Sequence, residues 1–255
     1  APAGAQGTGA GPAAGAAAEQ PAAAAPLACG PVETLGVVAA PAIRECSGLA
    51  VSRSQPVLWL HNDSGDAARL YAIDTTGQLL ATVTLAGASA RDWEDMAVGP
   101  CPDGSDGLFV GDIGDNARVR RGVRVFRLRE PRVDRARRGA AMTVTEYDVL
   151  ELSYPDGPHD AETLLVEARS GDVYILTKTA DGRSGLYRAA WPDGVSRVTM
   201  ERVLELEFGS GLLSGSTKAT AGDLSMDGTR AAIRTYNRVF MFQGAPGVAL
   251  VQLLS

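Results

Sequence analysis

Paired acids stand at the start of several short β-rich runs of this sequence. Glu94 is followed directly by Asp95, and Asp160 lies two residues before Glu162. A carboxylate pair can hydrolyse a glycosidic or phosphoester bond when one acid is held protonated, and a histidine can relay the proton. The candidate acid–base residues are Glu94, Asp95, Asp160, Glu162, His61 and His159.

Other runs end in turns that combine Asp and Asn with glycine. Carboxylate and amide oxygens in flexible turns are the ligands that Ca²⁺ prefers. The alternative is that these side chains bond the local backbone of their own turns. For either turn alone we favour local bonding. For the group as a whole both alternatives stay open, because clustered acids repel one another unless a cation compensates them. The candidate metal ligands are Asn62, Asp63, Asp66, Asp112, Asp115 and Asn116, and the candidate cofactor is Ca²⁺.

Aromatic and basic side chains accompany these acids. Trp93 and Tyr236 could stack on a sugar or a cation, or could close the end of a packed channel. Lys178 and Arg234 could pair with the acids in a ring of ion pairs that ties structural units together, and we favour this structural role over catalysis. The candidate ligand-binding residues are Glu45, Asp92, Trp93, Lys178, Asp223, Arg234 and Tyr236.

Several other classes of function find no support in the sequence. It contains no Gly-x-Ser-x-Gly nucleophile motif, no glycine-rich phosphate loop before a helix and no Cys-x-x-Cys pair. The net charge of −6 argues against a general nucleic-acid-binding protein, and the hydrophobic runs are too short to span a membrane. A hydrophobic fraction of 45% and a charged fraction of 21% indicate a globular domain.

The elements that must position these residues are short β-rich runs, which are separated by turns rich in Gly, Asp, Asn and Pro. The runs recur in four units of four strands. The first strands of the units are 48–52, 95–99, 163–167 and 222–225, and the fourth strands are 79–85, 142–152, 198–206 and 247–253. Repeated four-strand units are typical of propeller blades, with a two-sheet sandwich as the competing fold. We therefore predict an all-β protein, a β-propeller of four-stranded antiparallel blades, with four blades recognisable and one missing or degenerate.

Propeller geometry brings the acids together. The innermost strand of a blade begins beside the end of the second strand, because the two are antiparallel. Acids that precede the first strands and acids that follow the second strands should therefore lie at one mouth of the central channel. We expect Glu94, Asp112, Asp160 and Asp223 to approach a common axis there.

The two ends of the sequence differ in composition. Residues 1–30 are rich in Ala, Gly and Pro and are predicted to form a disordered linker, which leaves 31–255 as the propeller domain. A start at Ala-Pro rather than Met is typical of a mature exported protein, or of a chain cut at that point. In an exported protein we expect Cys29 to pair with Cys46 and Cys101 to stay free, with three reduced cysteines as the alternative.

Residues 118–138 hold ten arginines. Such a stretch could bind an anionic polymer or an envelope surface. The excess of Arg over Lys along the whole chain points instead to coding bias, and the alternation Val123-Arg124-Val125 is typical of a solvated strand face. The sequence therefore favours a solvated outer edge.

The motifs SGLAVS, HNDSGD, DWEDMA, GDIGDN and HDAETLL together resemble a family of exported bacterial β-propeller proteins, which occurs in actinobacteria and related high-GC organisms and is mostly uncharacterised. The resemblance covers roughly residues 44–243 and implies a propeller fold and an exported location. A more distant likeness links the fold to phytase-like and lactonase-like propellers, whose channel mouths bind calcium. The sequence departs from the family where a further unit would follow Tyr236, and at Gly222-Asp223, where the earlier carboxylate of other units is missing.

Two functions follow as expectations. The first is a binding or scaffold module, secreted or associated with the bacterial cell envelope. It would recognise a small polar ligand, or an extracellular protein or glycan partner, at an acidic channel mouth with the assistance of calcium. The second is a calcium-dependent hydrolase of phosphoesters, lactones or glycosides that uses carboxylates at the same mouth. We expect no transmembrane segment and no nucleic-acid partner, and the sequence alone does not choose between binding and catalysis.

Overall fold

The computed structural model describes residues 30–209 and 216–255. Cys29 lies outside the described residues, and with it the expected disulfide to Cys46. Within the described part the chain forms seventeen β-strands and one short helix. The protein is therefore all-β, as predicted.

The strands follow the chain in four groups. The first group is β1 (Cys46–Val51), β2 (Leu58–Asn62), β3 (Arg69–Ile73) and β4 (Leu79–Leu85). The second group is β5 (Trp93–Pro100), β6 (Asp106–Asp112), β7 (Val123–Arg129), β8 (Ala140–Val144) and β9 (Asp148–Ser153). The third group is β10 (Ala161–Val166), β11 (Val173–Thr177), β12 (Arg183–Ala189), β13 (Arg197–Thr199) and β14 (Glu201–Glu207). The fourth group is β15 (Ala219–Leu224), β16 (Arg230–Thr235), β17 (Val239–Gln243) and the helix α1 (Leu250–Leu254).

Four sheets arranged in a ring make a four-bladed β-propeller. Blade 1 has the strand order β1-β2-β3-β4-β8, and blade 2 has β5-β6-β7-β9-β13. Blade 3 has β10-β11-β12-β14, and blade 4 has β15-β16-β17. The innermost strands β1, β5, β10 and β15 pack side by side in that order around the channel. A further, missing or degenerate blade stays a prediction.

The outer edges of the blades differ from the uniform four-strand prediction. Residues 142–152, predicted as one strand, are divided between β8, which pairs in parallel with β4 of blade 1, and β9, which pairs with β7 in blade 2. Residues 198–206 are divided in the same way between β13 and β14. Each divided run supplies a fifth strand to the preceding blade, and this strand covers an edge that would otherwise expose unpaired backbone groups.

The end of the described chain also differs from the prediction. Residues 247–253 were expected to form a strand, but α1 occupies this stretch and packs against blades 3 and 4. Leu250, Leu253 and Leu254 repeat at helical spacing and are all buried in one apolar cluster. Burial of this stripe outweighs the β propensity of the local sequence.

Large apolar side chains hold the blades together. The core between blades 1 and 2 is built around Trp59, Trp93 and Phe126, each at most 1% exposed. Two similar clusters join blade 2 to blade 3 and blade 3 to blade 4. Full burial of one such side chain contributes about 1.5–3 kcal/mol. The turns at the ends of the strands are therefore displayed on a firmly packed frame.

Asp95 ties the innermost strands of three blades together. One oxygen of this buried carboxylate accepts backbone N–H bonds from Leu164 in β10 (2.9 Å) and Gly222 in β15 (3.2 Å). The other oxygen accepts the N–H of Met96 (2.9 Å). Burial raises the pKa of Asp95 well above its ordinary value, although the backbone donors oppose that shift. This acid is part of the channel wall.

Candidate functional site

Each innermost strand carries a β-bulge near its start. The pairing register with the second strand shifts once in every blade, always close to the first residue of the innermost strand. The residues that have no partner in the second strand at these bulges are Ser47, Gly48, Glu94, Glu162 and Thr220. A bulge re-aims the side chain of its extra residue and is common beside functional sites. Four bulges at equivalent points define one mouth of the channel.

Three carboxylates form a compact group at this mouth, which we call the acidic cluster: Asp63, Asp92 and Glu94. Oxygen atoms of all three lie within 4.8 Å of one another. Asp63 follows β2 of blade 1, whereas the other two stand at the start of β5 of blade 2, so the cluster spans two blades. Burial and the neighbouring Asp63 raise the pKa of Asp92.

Glu94 is the buried member of the acidic cluster, with 3% of its surface exposed. Its side chain accepts one long hydrogen bond, 3.5 Å from the hydroxyl of Ser47, while that hydroxyl makes its shorter bond (2.7 Å) to the Glu94 carbonyl oxygen. Burial, reinforced by the carboxylates of Glu162 and Asp63, raises the pKa of Glu94 to about 9. In the absence of a cation Glu94 is therefore protonated at neutral pH.

The loop after β6 forms one wall of the acidic cluster. Arg120 folds back into this loop, donates to the carbonyl oxygen of Gly114 (2.7 Å) and pairs with the carboxylate of Asp112 (3.0 Å). Asp112 also accepts the backbone N–H of Asp92 (3.1 Å), which fixes the start of β5. A Cβ atom at Gly114 would overlap the carboxylates of Asp92 and Glu94. The cluster therefore needs glycine at this position.

A basic and an aromatic side chain lie beside the acidic cluster. Lys178 and Glu162 form a largely buried ion pair. Burial lowers the pKa of Lys178, but the Glu162 carboxylate outweighs this and leaves that pKa raised. The ring of Tyr236 lies 5.8 Å from Nζ of Lys178 and is 53% exposed. Lys178 is thus occupied by Glu162. Among the described residues, no other cationic side chain forms an ion pair with the acidic cluster either.

Among the predicted metal ligands of blade 1, Asp63 joins the acidic cluster and the other two do not. Asn62 accepts the backbone N–H of Arg44 (3.0 Å) and donates to the carbonyl oxygen of Ala42 (2.8 Å). Asp66 accepts a hydrogen bond from the Asn62 side chain (2.8 Å). These bonds hold the segment before β1 against the turn after β2, so the oxygens of both side chains serve local structure.

The predicted ligands of blade 2 are also occupied by protein donors or lie apart from the cluster. Asp112 is fully buried, and its two oxygens pair with Arg120 and Arg124. Asp115 accepts the backbone N–H of Arg120 (2.7 Å). Asn116 is exposed and has no hydrogen bond to a described residue. In these turns the local bonding alternative accounts for the buried acids.

The predicted acid–base residues occupy different places. Glu94 and Glu162 lie at the mouth, and Asp95 lies in the channel wall. Asp160 is buried and accepts the backbone N–H of Asp115 (2.9 Å), so it connects blade 3 to the loop of blade 2. The structure groups three carboxylates in the acidic cluster, and only Glu94 among them is a predicted acid–base residue.

The two histidines lie outside the acidic cluster. His61 is fully buried with its ring 5.5 Å from that of Trp93, and burial lowers its pKa, so it is a neutral core side chain. Trp93 is equally buried and does not line the mouth. His159 bonds Asp156 (2.9 Å) and Tyr187 (3.1 Å) in a separate polar and aromatic group.

The remaining predicted binding residues are scattered. Glu45 is exposed and lines a depression of about 310 Å³ beside the turn after β2. Arg234 is exposed, and its guanidinium group makes no hydrogen bond or ion pair with a described residue. Asp223 does not join the mouth, because it lies farther along β15 and lines a cleft with Arg53 and Met226 near the opposite end of the strand. Burial raises the pKa of Asp223.

Two residues of the site were not predicted. Gly114 belongs to the GDIGDN motif, but its proximity to Asp92 and Glu94 depends on how the loop folds. Arg120 was assigned with its neighbours to a solvated edge, and this is wrong for its side chain, which is 4% exposed and closes the loop. Its position between Val119 and Arg121 gives no signal that distinguishes it from the exposed arginines nearby.

The chain matches no protein-family model and no curated protein. Among solved structures it is similar to the hydrazine synthase of Kuenenia stuttgartiensis, with 12% identity, a TM-score of 0.40 and coverage of 79% of this chain and 52% of the other. It is similar to the Cps50 (Swd1) β-propeller domain of Myceliophteria thermophila, with 12% identity, a TM-score of 0.40 and coverage of 78% and 54%. It is also similar to the periplasmic gluconolactonase PpgL of Pseudomonas aeruginosa, with 17% identity, a TM-score of 0.39 and coverage of 79% and 69%.

The chain thus spans about half the length of the first of these structures. At such identities and TM-scores the likeness concerns general architecture alone. In the part of the chain that the structure describes, no helix is long and apolar enough to cross a bilayer.

Proposed function

We propose that this propeller is a binding module that takes Ca²⁺ at the acidic cluster and uses the bound ion to recognise a small polar ligand or an extracellular partner. The observation that carries the proposal is the convergence of the Asp63, Asp92 and Glu94 carboxylates within 4.8 Å. Hard carboxylate oxygens are the ligands that Ca²⁺ prefers, and a site made from turns tolerates its flexible geometry.

The hydrogen bonding of the acids supports a cation here rather than elsewhere. Asp95, Asp112 and Asp160 have their oxygens occupied by backbone or guanidinium donors. Asp63 bonds the neighbouring backbone N–H of Ser64, and Glu94 receives one long bond. The acidic cluster therefore holds the carboxylates at the mouth with the most unused acceptor capacity.

The same geometry leaves room for a ligand. Ca²⁺ takes roughly six to eight oxygens, and three carboxylates cannot supply all of them unless each binds through both oxygens. The remaining positions would be filled by water or by oxygens of a ligand. The exposed ring of Tyr236 next to the Lys178–Glu162 pair offers such a ligand an apolar face at the same mouth.

The test is calorimetric titration of the metal-free protein with Ca²⁺, combined with thermal melts of the same samples. We expect saturable binding and a raised melting temperature, and both are lost in Asp63→Asn and Glu94→Gln. The control is Asp193→Asn, which makes the same charge change at an exposed residue without a hydrogen bond to a described residue. Absence of heat and of a shift in the unmodified protein contradicts the proposal.

A calcium-dependent hydrolase of phosphoesters, lactones or glycosides is the second candidate. The supporting observation is that two carboxyl groups, Glu94 with its raised pKa and Asp92, lie within 4.8 Å of each other, and these are residue types that acid–base hydrolysis uses. Turnover of chromogenic esters, lactones or glycosides that disappears in Glu94→Gln, but not in Asp193→Asn, would favour the enzyme. Binding of Ca²⁺ without any turnover would favour the binding module.

Export from a bacterial cell is part of the proposal, as secretion or attachment to the envelope. The Ala-, Gly- and Pro-rich composition of 1–30 supports it, since such segments are typical of linkers that precede exported domains. Fractionation of bacterial cells that express the full natural protein tests the location. Recovery in the cytoplasmic fraction contradicts export.

A further inference from the structure

The loop between β7 and β8 displays four exposed arginines, which we call the arginine loop: Arg132, Arg135, Arg137 and Arg138. None of their guanidinium groups makes a hydrogen bond or an ion pair with a described residue. The loop follows the end of β7, and β7 starts on the side of the mouth. The arginine loop therefore lies at the end of the propeller opposite the acidic cluster.

Some exposed arginines elsewhere in the propeller are paired, and the unpaired ones are not grouped four to a loop. Arg183 and Arg202 both pair with Glu205, and Arg197 pairs with Glu151. Coding bias explains why the chain holds many arginines, but it does not explain why four unpaired ones share one loop. Like charges at such spacing repel, and an anion would relieve that repulsion.

The base of the arginine loop is firmly built. Gln55 accepts the backbone N–H of Val133 (2.8 Å) and donates to the carbonyl oxygen of Pro131 (3.0 Å). Glu130 turns inward and accepts bonds from the indole of Trp59 (2.8 Å) and from Gln55 (3.0 Å). The carboxylate that directly precedes the loop is therefore used for its attachment and forms no ion pair with the arginines.

The other acids near the loop are also engaged. Asp134 accepts the backbone N–H of Ala136 (3.0 Å) and so caps the turn of the loop. Asp74 lies close enough for Arg138 to contribute to its lowered pKa, but its carboxylate is bonded first of all to Thr76. The loop thus presents an excess of positive charge on a fixed backbone.

We propose that the arginine loop binds a linear polyanion, a polyphosphate or acidic glycan chain whose repeated oxyanions pair with successive guanidinium groups. Guanidinium forks match phosphate, sulfate and carboxylate groups in a bidentate manner. A flat anionic membrane fits less well, because Asp223 and Asp227 are exposed at the same end without an ion pair to a described residue and would be repelled. A nucleic acid also fits less well, because residues 130–139 contain no aromatic side chain on which bases could stack.

The test measures binding of the full chain to long-chain polyphosphate and, separately, to heparin over a series of salt concentrations. We compare two quadruple variants with equal charge change. The loop variant is R132Q/R135Q/R137Q/R138Q, and the control variant is R169Q/R183Q/R197Q/R202Q on the outer parts of blades 2 and 3. Thermal melts check that both variants fold, which we expect of the loop variant because its side chains make no contacts that hold the fold.

We expect saturable, salt-dependent binding of at least one of the two polymers, and the polymer that binds identifies the source of the oxyanions. In the loop variant the slope of log K against log salt falls by about 3, taking roughly 0.7 for each neutralised group, while the control variant keeps most of the slope. Three results would overturn the proposal. The first is an equal loss of slope in both variants, and the second is no binding of either polymer at low salt. The third is tighter binding to anionic vesicles or to single-stranded DNA. The acidic cluster is unaffected by any of these outcomes.

Discussion

Replacement of Glu94 by Gln should remove a pH dependence of stability from the metal-free protein. The pKa of Glu94 is about 9 in the folded state and near 4.5 in the unfolded state. Between these values the folded protein keeps a proton that the unfolded chain has lost. The free energy of unfolding therefore falls as pH rises, by about 1.4 kcal/mol per pH unit.

The magnitude follows from this slope. Between pH 6 and pH 8 the loss attributable to Glu94 is about 3 kcal/mol, which corresponds to roughly 6–12 °C in melting temperature for a domain of this size. In Glu94→Gln the side chain stays neutral and this loss disappears. Asp92 and Glu162 also have raised pKa values, but they contribute to both proteins.

The assay is a series of thermal and urea melts of both proteins from pH 5 to pH 9, with a chelator present throughout. The difference between the two stability curves isolates Glu94. Parallel curves would refute the reasoning, because they would mean that Glu94 has the same pKa in the folded and unfolded states. With saturating Ca²⁺ we expect the slope of the unmodified protein to flatten, since a bound cation favours the carboxylate.

Three further predictions concern the surroundings of the site. Gly114→Ala should weaken Ca²⁺ binding at least tenfold while the protein stays folded, since a Cβ there overlaps two carboxylates; calorimetry checks this, and unchanged affinity contradicts it. Asn62→Ala should lower the free energy of unfolding by about 2 kcal/mol, because the backbone groups of Arg44 and Ala42 lose their hydrogen-bond partner. Asn116→Ala is the matched control, and urea melts measure both. Equal shifts in the two variants would contradict a stabilising role for the Asn62 bonds. Lys178→Met should lower the free energy of unfolding by about 3 kcal/mol, because it leaves the buried charge of Glu162 without a partner. The double variant with Glu162→Gln should recover most of that loss in urea melts. If the effects of the two substitutions simply add, the pair does not stabilise the fold.

The fold could be predicted because its signals are local. Turn residues such as those after Asn62 and before Val123 interrupt short apolar runs, and short runs bounded in this way are typical of strands. Several of them, such as β5, β6 and β11, are buried on both faces. The boundaries at 142–152 and 198–206 could not be predicted in the same way. Whether such a run stays in its own blade or crosses to the neighbouring edge depends on which unpaired strand lies beside it in space.

The sequence predicted that acids gather at one mouth of the channel, but it did not predict which of their carboxylates are free. Antiparallel pairing placed Asp63 and Asp112 near Glu94 from the sequence alone, but it placed Asp223 there as well. Asp112 lies at the mouth but is held by two guanidinium groups, and Asp223 follows its strand away from the mouth. The identity of the free carboxylates depends on which acids find donors, and most of those donors come from distant parts of the chain.

The sequence by itself determined the all-β class, the four repeated units and the concentration of acids at the starts of the inner strands, because alternation and turn chemistry act over a few residues. Only the tertiary structure decided that Glu94 projects from a bulge, that Gly114 leaves space for it and that His61 and Trp93 are core side chains. The physical reason is that burial, register and hydrogen-bond partnership arise between blades. They are fixed only when strands far apart in the chain pack around one channel.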